Sequence, residues 1–436
     1  MIARLNFINR FQRSNPVLKL CKENREGRIA KKFILILLAS IFLITLAMYP
    51  ISIVAANREE VEEKADPFCF EQDASDGIDY VIHFPEGKEI TILQIADTQA
   101  VSYHGIRTTF TDSDGNEYQS LDRFYQIYAG LFTNGITDTH IRTWQYVEEG
   151  VEKTKPDLIV LTGDNVYGET DDSGALWLEM IDVLDSFEIP WLCIFGNHDN
   201  ESQMGVNWQI EAVRNSKYGY IKDGDLQNGN SNYTVGIKQG AELKYVLYML
   251  DTNGCTLRPD NLGESMLPSN PDLSEIQQSP GIYSDQIEWI RERDERISGA
   301  YGCEIPSMMF LHIPPIEVRE AVLQAYDGTY DDNMLFFANK ENDMGFSLES
   351  ISGFDTDGEF FEAAREANCV GMFMGHNHKT AISIFYEGIR LTYGLKTGVE
   401  AYHDRDLIGT TKITIAEEDD SFRVDYISSE IEYPFD

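Results

Sequence analysis

Four of the eight histidines, His198, His312, His376 and His378, directly follow apolar runs, and Asp97, Asp164 and Asn197 do the same. Imidazole, carboxylate and carboxamide oxygen together suit divalent or trivalent first-row metals. Without clustered thiolates the set does not suit a structural zinc site. Two ions about 3.5–4 Å apart that share one carboxylate can clamp a phosphate between them and acidify a water. A lone histidine is more often a satisfied core residue than a ligand, but four of them in the same sequence context as two Asp and an Asn point to chemistry.

The apolar runs must position these groups. EITILQIA (89–96) leads into Asp97-Thr98-Gln99, PDLIVLTG (156–163) into Asp164-Asn165-Val166-Tyr167, and IPWLCIFG (189–196) into Asn197-His198-Asp199. PSMMFLHI (306–313) contains His312, and CVGMFMG (369–375) leads into His376-Asn377-His378; KYVLYMLD (244–251) has no such ligand motif. Runs this apolar suit strands buried on both faces. Stretches 140–155, 175–187 and 283–297 repeat apolar residues at three- and four-residue steps and read as helices, so the alternation predicts an α/β sheet with helices packed on it. In such sheets ligands gather beyond the carboxyl ends of strands. Glycines before Asp164, Asn197 and His376 let the backbone turn sharply there. Polar stretches at 222–232, 253–280 and 324–358 read as long loops.

The ordered set Asp-x-Gln, Gly-Asp-x-x-Tyr, Gly-Asn-His-Asp, a later His and Gly-His-x-His resembles the calcineurin-like metallophosphoesterase superfamily. Over residues 89 to about 415 it is similar to the purple-acid-phosphatase-like and Dcr2-like branch, with PDLIVLTGDN, FLHIPP and YGLKTG as supporting segments. The resemblance implies a four-layer α/β/β/α sandwich, two stacked mixed sheets flanked by helices, and hydrolysis of a phosphate ester with two metal ions of the Fe, Mn or Zn type. It implies that Asp97 and His378 bind one ion, Asn197, His312 and His376 the other, and that Asp164 bridges them. His198, paired with Asp199, would assist the leaving oxygen.

Gln99 stands where many members of the superfamily have a metal-binding His. Either Gln99 coordinates through its carbonyl oxygen, or Tyr167 supplies a phenolate, which would favour an Fe(III)–M(II) pair, or Tyr167 packs beside the site. The expected substrate is a phosphorylated small molecule or protein, most simply a phosphomonoester. A phosphodiesterase or nucleotidase, or a surface binding protein that kept the metal site, is the alternative.

The charge is divided. The formal net charge is −38, yet residues 1–32 carry Arg4, Arg10, Arg13, Lys19, Lys22, Arg25, Arg28, Lys31 and Lys32 against Glu23 and Glu26. So acidic a remainder would repel a nucleic-acid backbone, and no nucleic-acid binding is expected. Residues 33–57 hold no charge, and at about 1.5 Å per residue such a helix crosses a bilayer. The division is therefore a basic cytoplasmic segment (1–32), a transmembrane signal-anchor (33–56), a charged linker (57–77) and a catalytic domain (78–436). The positive flank places that domain outside the cell. It is membrane-anchored, or secreted if Val54-Ala55-Ala56 marks a cleavage site.

Cys21 falls in the cytoplasmic segment, Cys193 and Cys369 sit in apolar runs and read as core, and Cys69, Cys255 and Cys303 are left as external bridge formers whose pairing the sequence does not set. Asp112 to Asn116 begins like a calcium loop, but Glu117 stands where such a loop needs Gly and Arg123 where it needs Glu, so a hairpin turn around Asp114-Gly115 is expected. His83, His104, His140 and His403 lie outside the motifs and take surface or core roles, with His104 near enough in sequence to the first motif to touch substrate.

Overall fold

The computed structural model describes residues 74–101, 109–111, 117–119, 139–167, 174–202, 204–224, 226–254, 280–325, 335–340, 343–417 and 421–431. The apolar segment at 33–56, its basic flank, Cys21, Cys69, Cys255, His104 and the Asp112–Asn116 turn lie outside the described residues. Among the described residues no helix is long and apolar enough to cross a membrane.

In chain order the strands are β1 (Tyr80–Phe84), β2 (Ile90–Ile95), β3 (Thr109–Thr111), β4 (Glu117–Gln119), β5 (Leu158–Thr162) and β6 (Trp191–Ile194). There follow β7 (Gly219–Tyr220), β8 (Tyr233–Gln239), β9 (Glu242–Met249), β10 (Ser307–Phe310), β11 (Leu335–Lys340) and β12 (Asp343–Ser347). The last are β13 (Cys369–Met374), β14 (Thr380–Tyr386), β15 (Ile389–Tyr393), β16 (Gly409–Ile415) and β17 (Phe422–Ser428). The helices are α1 (Thr139–Thr154), α2 (Ala175–Ser186), α3 (Val206–Arg214), α4 (Ser284–Tyr301), α5 (Glu317–Ala325) and α6 (Glu359–Glu366).

Fifteen of these strands form two mixed sheets with helices, and β3 and β4 form a separate two-stranded sheet. One sheet has nine strands in the order β1-β8-β9-β10-β13-β15-β14-β12-β11, the other six in the order β17-β16-β2-β5-β6-β7. In the smaller sheet β2, β5 and β6 are parallel neighbours, and in the larger β9, β10 and β13 are. Parallel neighbours end on the same edge, so each trio delivers its carboxyl ends together.

Strands β5 and β6 are buried at every position, as continuous apolar runs require. The period-2 geometry of β9 divides its side chains between two cores. Tyr245, Leu247 and Met249 pack with Ile92, Val160 and other residues of the smaller sheet. Val246, Tyr248 and Leu250 pack with Ile290 of α4, Val318 of α5 and Phe360 of α6.

Helix α1 buries Trp144 and Val147 on one face and stops where Lys155 turns left-handed at φ 48, with Pro156 unable to continue it. Gly150 lets this helix approach β16 closely, since a methyl group there would lie 2.7 Å from Thr410.

The stretch 324–358 is not the loop the sequence suggests. It contains β11 and β12, and β12 pairs antiparallel with β14. Here an available sheet edge, rather than a local apolar pattern, decides the strand. Strands β3 and β4 pair antiparallel, with Thr109 opposite Gln119, as a hairpin requires. Cys193 and Cys369 are buried and Cys303 is exposed.

Candidate metal centre

Each predicted ligand leaves a strand within four residues of its end: Asp97 after β2, Asp164 after β5, Asn197 after β6, His312 after β10, and His376 and His378 after β13. The chain turns sharply at these points. Asp97, Gln99, Asp164 and His376 all have positive φ, at 51°, 38°, 50° and 74°, a conformation that residues other than glycine adopt only where their surroundings enforce it. The enforcement is backbone pairing between neighbouring turns. Asp97 N donates to Gly163 O at 3.3 Å, Gln99 N to Asp164 O at 2.8 Å, and Gly375 N to His312 O at 3.1 Å. A methyl group on Gly196 would collide with the Asp164 carboxylate, and one on Gly375 would lie 2.7 Å from Asp97 Oδ2.

The turns bring the six donors together, all buried except the half-buried His376. Asn197 Oδ1 lies 3.2 Å from His312 Nε2 and 3.1 Å from His376 Nδ1. Asp164 Oδ2 lies 3.3 Å from His312 Nε2, and Asp97 Oδ1 lies 3.5 Å from His378 Nε2. Ligand atoms of Asp97, Asp164 and His312 all fall within 4.8 Å of one another.

Two backbone carbonyls orient the rings. His312 Nδ1 donates to Thr162 O at 2.9 Å and His378 Nδ1 to Tyr402 O at 2.8 Å, so in the neutral rings both Nε2 lone pairs face inward. Such outer partners commonly fix the tautomer of metal-ligating histidines. The inward lone pairs then face carboxylate oxygens. That juxtaposition is repulsive unless a proton or a cation lies between them, and the donor set therefore fits metal ions.

The electrostatics show the same competition. Burial opposes charge on Asp164, but the fields of His312 and His198 hold its carboxyl well below the usual range. Burial also opposes charge on His312, but Asp164 pushes its pKa up to about 9. His376 is pushed down to about 3 by burial and by the charge on His312. Burial and Lys396 lower His378 as well. Both shifts favour the neutral ring, the state a ligand needs.

The remaining predicted residues surround this cluster. The Tyr167 ring stacks on the His198 imidazole, with centroids 4.3 Å apart, and His198 N donates to Asp164 Oδ1 at 2.8 Å. Asp199, with no exposed surface, is a tie between two turns. Its Oδ1 accepts from Asn165 N and Val166 N, and its Oδ2 from Gly196 N and Asn165 Nδ2, at 2.8–3.1 Å. Burial and the Asp164 charge raise its pKa to about 7 against the pull of those N–H groups.

Gln99 donates from Nε2 to Asp164 Oδ2 at 2.9 Å. Its Oε1 accepts from Lys396 Nζ at 3.0 Å, and Nζ also donates to Asp97 O at 2.8 Å. Lys396 is 1% exposed, and burial pulls its pKa down to about 8. The sequence marks YGLKTG as a supporting segment only and gives this lysine no role. The one available signal was a cation between the apolar Leu395 and the small residues Thr397 and Gly398.

Two mixed sheets with helices, and a carboxylate and imidazole cluster beyond their strand ends, make an α/β metallophosphoesterase fold. Residues 90–293 match the family model for calcineurin-like phosphoesterase. His312, His376 and His378 lie beyond the matched span and are brought to it by the larger sheet.

A protein of Arabidopsis thaliana named probable inactive purple acid phosphatase 14 is 27% identical over 279 residues, covering 60% of this chain and 63% of the relative. Phosphatase DCR2 of Saccharomyces cerevisiae is 28% identical over 123 residues, 26% of this chain and 21% of the relative. The crystal structure of a dimetal phosphatase from Danio rerio aligns with a TM-score of 0.39 and 10% identity, over 74% of this chain and 95% of that one. The chain thus spans about 63% of the length of the first of these relatives.

Proposed function

We propose that this chain is a dinuclear-metal-dependent phosphomonoesterase that acts on a phosphorylated small molecule or protein. The observation that carries this reading is the convergence of ligand-type atoms, in which His312 Nε2 lies 3.3 Å from Asp164 Oδ2 and 3.2 Å from Asn197 Oδ1. In this reading Asp97 and His378 hold one ion, Asn197, His312 and His376 the other, and Asp164 is shared. When bound, the ions supply Lewis-acid stabilisation of phosphoryl charge and lower the pKa of water.

The chain's own residues do the rest. Thr162 O and Tyr402 O aim two imidazoles, and Asp199 fixes the turn that carries His198. His198, 8% exposed, is the group placed to protonate the leaving oxygen. The division of the cores between helices and sheets supports the four-layer arrangement. The segment at 33–56 anchors the chain in a membrane with the catalytic domain outside, or exports it if cleaved.

A second reading is a metal-binding surface protein without turnover. Gln99 in place of a His and the word inactive in the Arabidopsis relative's name favour it.

The deciding experiment assays the full-length chain, loaded with Mn, Zn or Fe, on an aryl phosphomonoester and an aryl phosphodiester beside a metal analysis. Monoester hydrolysis that disappears in Asp164→Asn is the expected result. Bound metal with neither activity selects the second reading, and faster diester cleavage selects a phosphodiesterase. In the iron-loaded chain a phenolate-to-metal absorption band lost in Tyr167→Phe identifies Tyr167 as a ligand.

A further inference from the structure

Gln99 has one orientation compatible with its neighbours. A lysine ammonium only donates and an ionised carboxylate only accepts, so the amide oxygen faces Lys396 Nζ at 3.0 Å and the amide nitrogen faces Asp164 Oδ2 at 2.9 Å. The flipped amide would set donor against donor and acceptor against acceptor. The oxygen that could coordinate a metal is therefore engaged by Lys396, and an N–H occupies part of the carboxylate meant to be shared.

Lys396 has little freedom to leave. Its backbone bridges both Ala96 and Ile408, Thr397 N donates to Ala96 O at 2.8 Å, and its ammonium also holds Asp97 O. A fixed positive charge beside the Asp97 turn opposes a second cation there, with little water to screen it.

From this geometry we propose that Lys396, acting through Gln99, makes the two metal positions unequal. The ion held by Asn197, His312 and His376 binds tightly, and the ion held by Asp97 and His378 binds weakly and comes and goes with metal supply. Lys396 is thus a positioning residue that makes activity depend on the free metal concentration. The inference rests on the dinuclear reading of the site.

The test is Mn(II) binding to the full-length, chelator-stripped chain by equilibrium dialysis, with electron paramagnetic resonance to detect the spin-coupled pair. Wild type is expected to bind a first ion at least about tenfold more tightly than a second. Lys396→Met removes the charge, and Gln99→His replaces the N–H donor with a ligand nitrogen. Each is expected to tighten the second ion by at least about tenfold and to bring in the coupled signal at lower Mn(II). Lys396→Arg keeps the charge and is expected to leave the second ion weak, which a purely structural role for the lysine would not produce. Should Lys396→Met fail to fold, Gln99→His carries the test alone. Two ions of equal affinity in wild type, or folded variants with an unchanged second affinity, overturn the inference and leave the dinuclear reading standing. Absence of any Mn(II) binding overturns both.

Discussion

His312 Nδ1 donates to the Thr162 carbonyl oxygen at 2.9 Å, and that bond joins the end of β10 in the larger sheet to the end of β5 in the smaller. It sets the ring's tautomer and points Nε2 at Asp164 and Asn197. His312→Ala is expected to reduce hydrolysis by more than the roughly 10–100-fold typical of losing an outer partner of a ligand, and to release metal from the folded chain. Metal content measured beside the rate checks this; full retention of metal would remove His312 from the ligand set.

Gly196 is the tightest approach of backbone to ligand. In Gly196→Ala the added methyl group collides with the Asp164 carboxylate and backbone nitrogen, so one of the two turns must move. Overpacking of this kind costs on the order of 1–3 kcal/mol. A lower urea midpoint together with weaker metal binding is the expected result, and a variant equal to wild type in both would show that the turns have slack.

Asp199→Ala removes the acceptor of four N–H donors. Each donor left buried and unpaired costs about 1–3 kcal/mol, so a loss on the order of 3 kcal/mol or more is expected in chemical denaturation. A catalytic partner of His198 would behave differently, with stability kept and the pH profile of the rate displaced. That second outcome would overturn the role of Asp199 as a tie between turns.

His403 carries an acid sensitivity. Its Nδ1 donates to Ala401 O at 3.1 Å, and burial lowers its pKa from 6.5 to about 4 in the folded chain. Between those values the unfolded chain binds the proton and the folded chain does not. The stability linked to this group is therefore present above pH about 6.5 and is lost as the pH falls towards about 4. Urea midpoints of His403→Asn are expected to fall less steeply across that interval than those of wild type. Parallel curves would show that His403 contributes nothing to acid unfolding.

The candidate ligands are legible in the sequence because each of them is announced locally. An apolar run makes a buried strand, a glycine or tight turn ends it, and the next polar residue stands beyond the sheet edge. Asp97, Asp164, Asn197, His312, His376 and His378 need nothing else to be named as candidates, and each follows a strand end. What those residues bond to is not announced. Any residue can supply the carbonyl oxygens of Thr162 and Tyr402, so no residue type marks them, and the N–H groups held by Asp199 are backbone too. Strand β12 pairs with the edge that β14 offers and β11 pairs with β12, and no residue type in the segment names those partners. Lys396 meets Gln99 across 297 positions of sequence, and neither residue carries a pattern that names the other. Strand ends and ligand types follow from local hydrophobic periodicity and side-chain chemistry. The orientation of the Gln99 amide was decided only when the sheets packed and placed a buried ammonium against its oxygen.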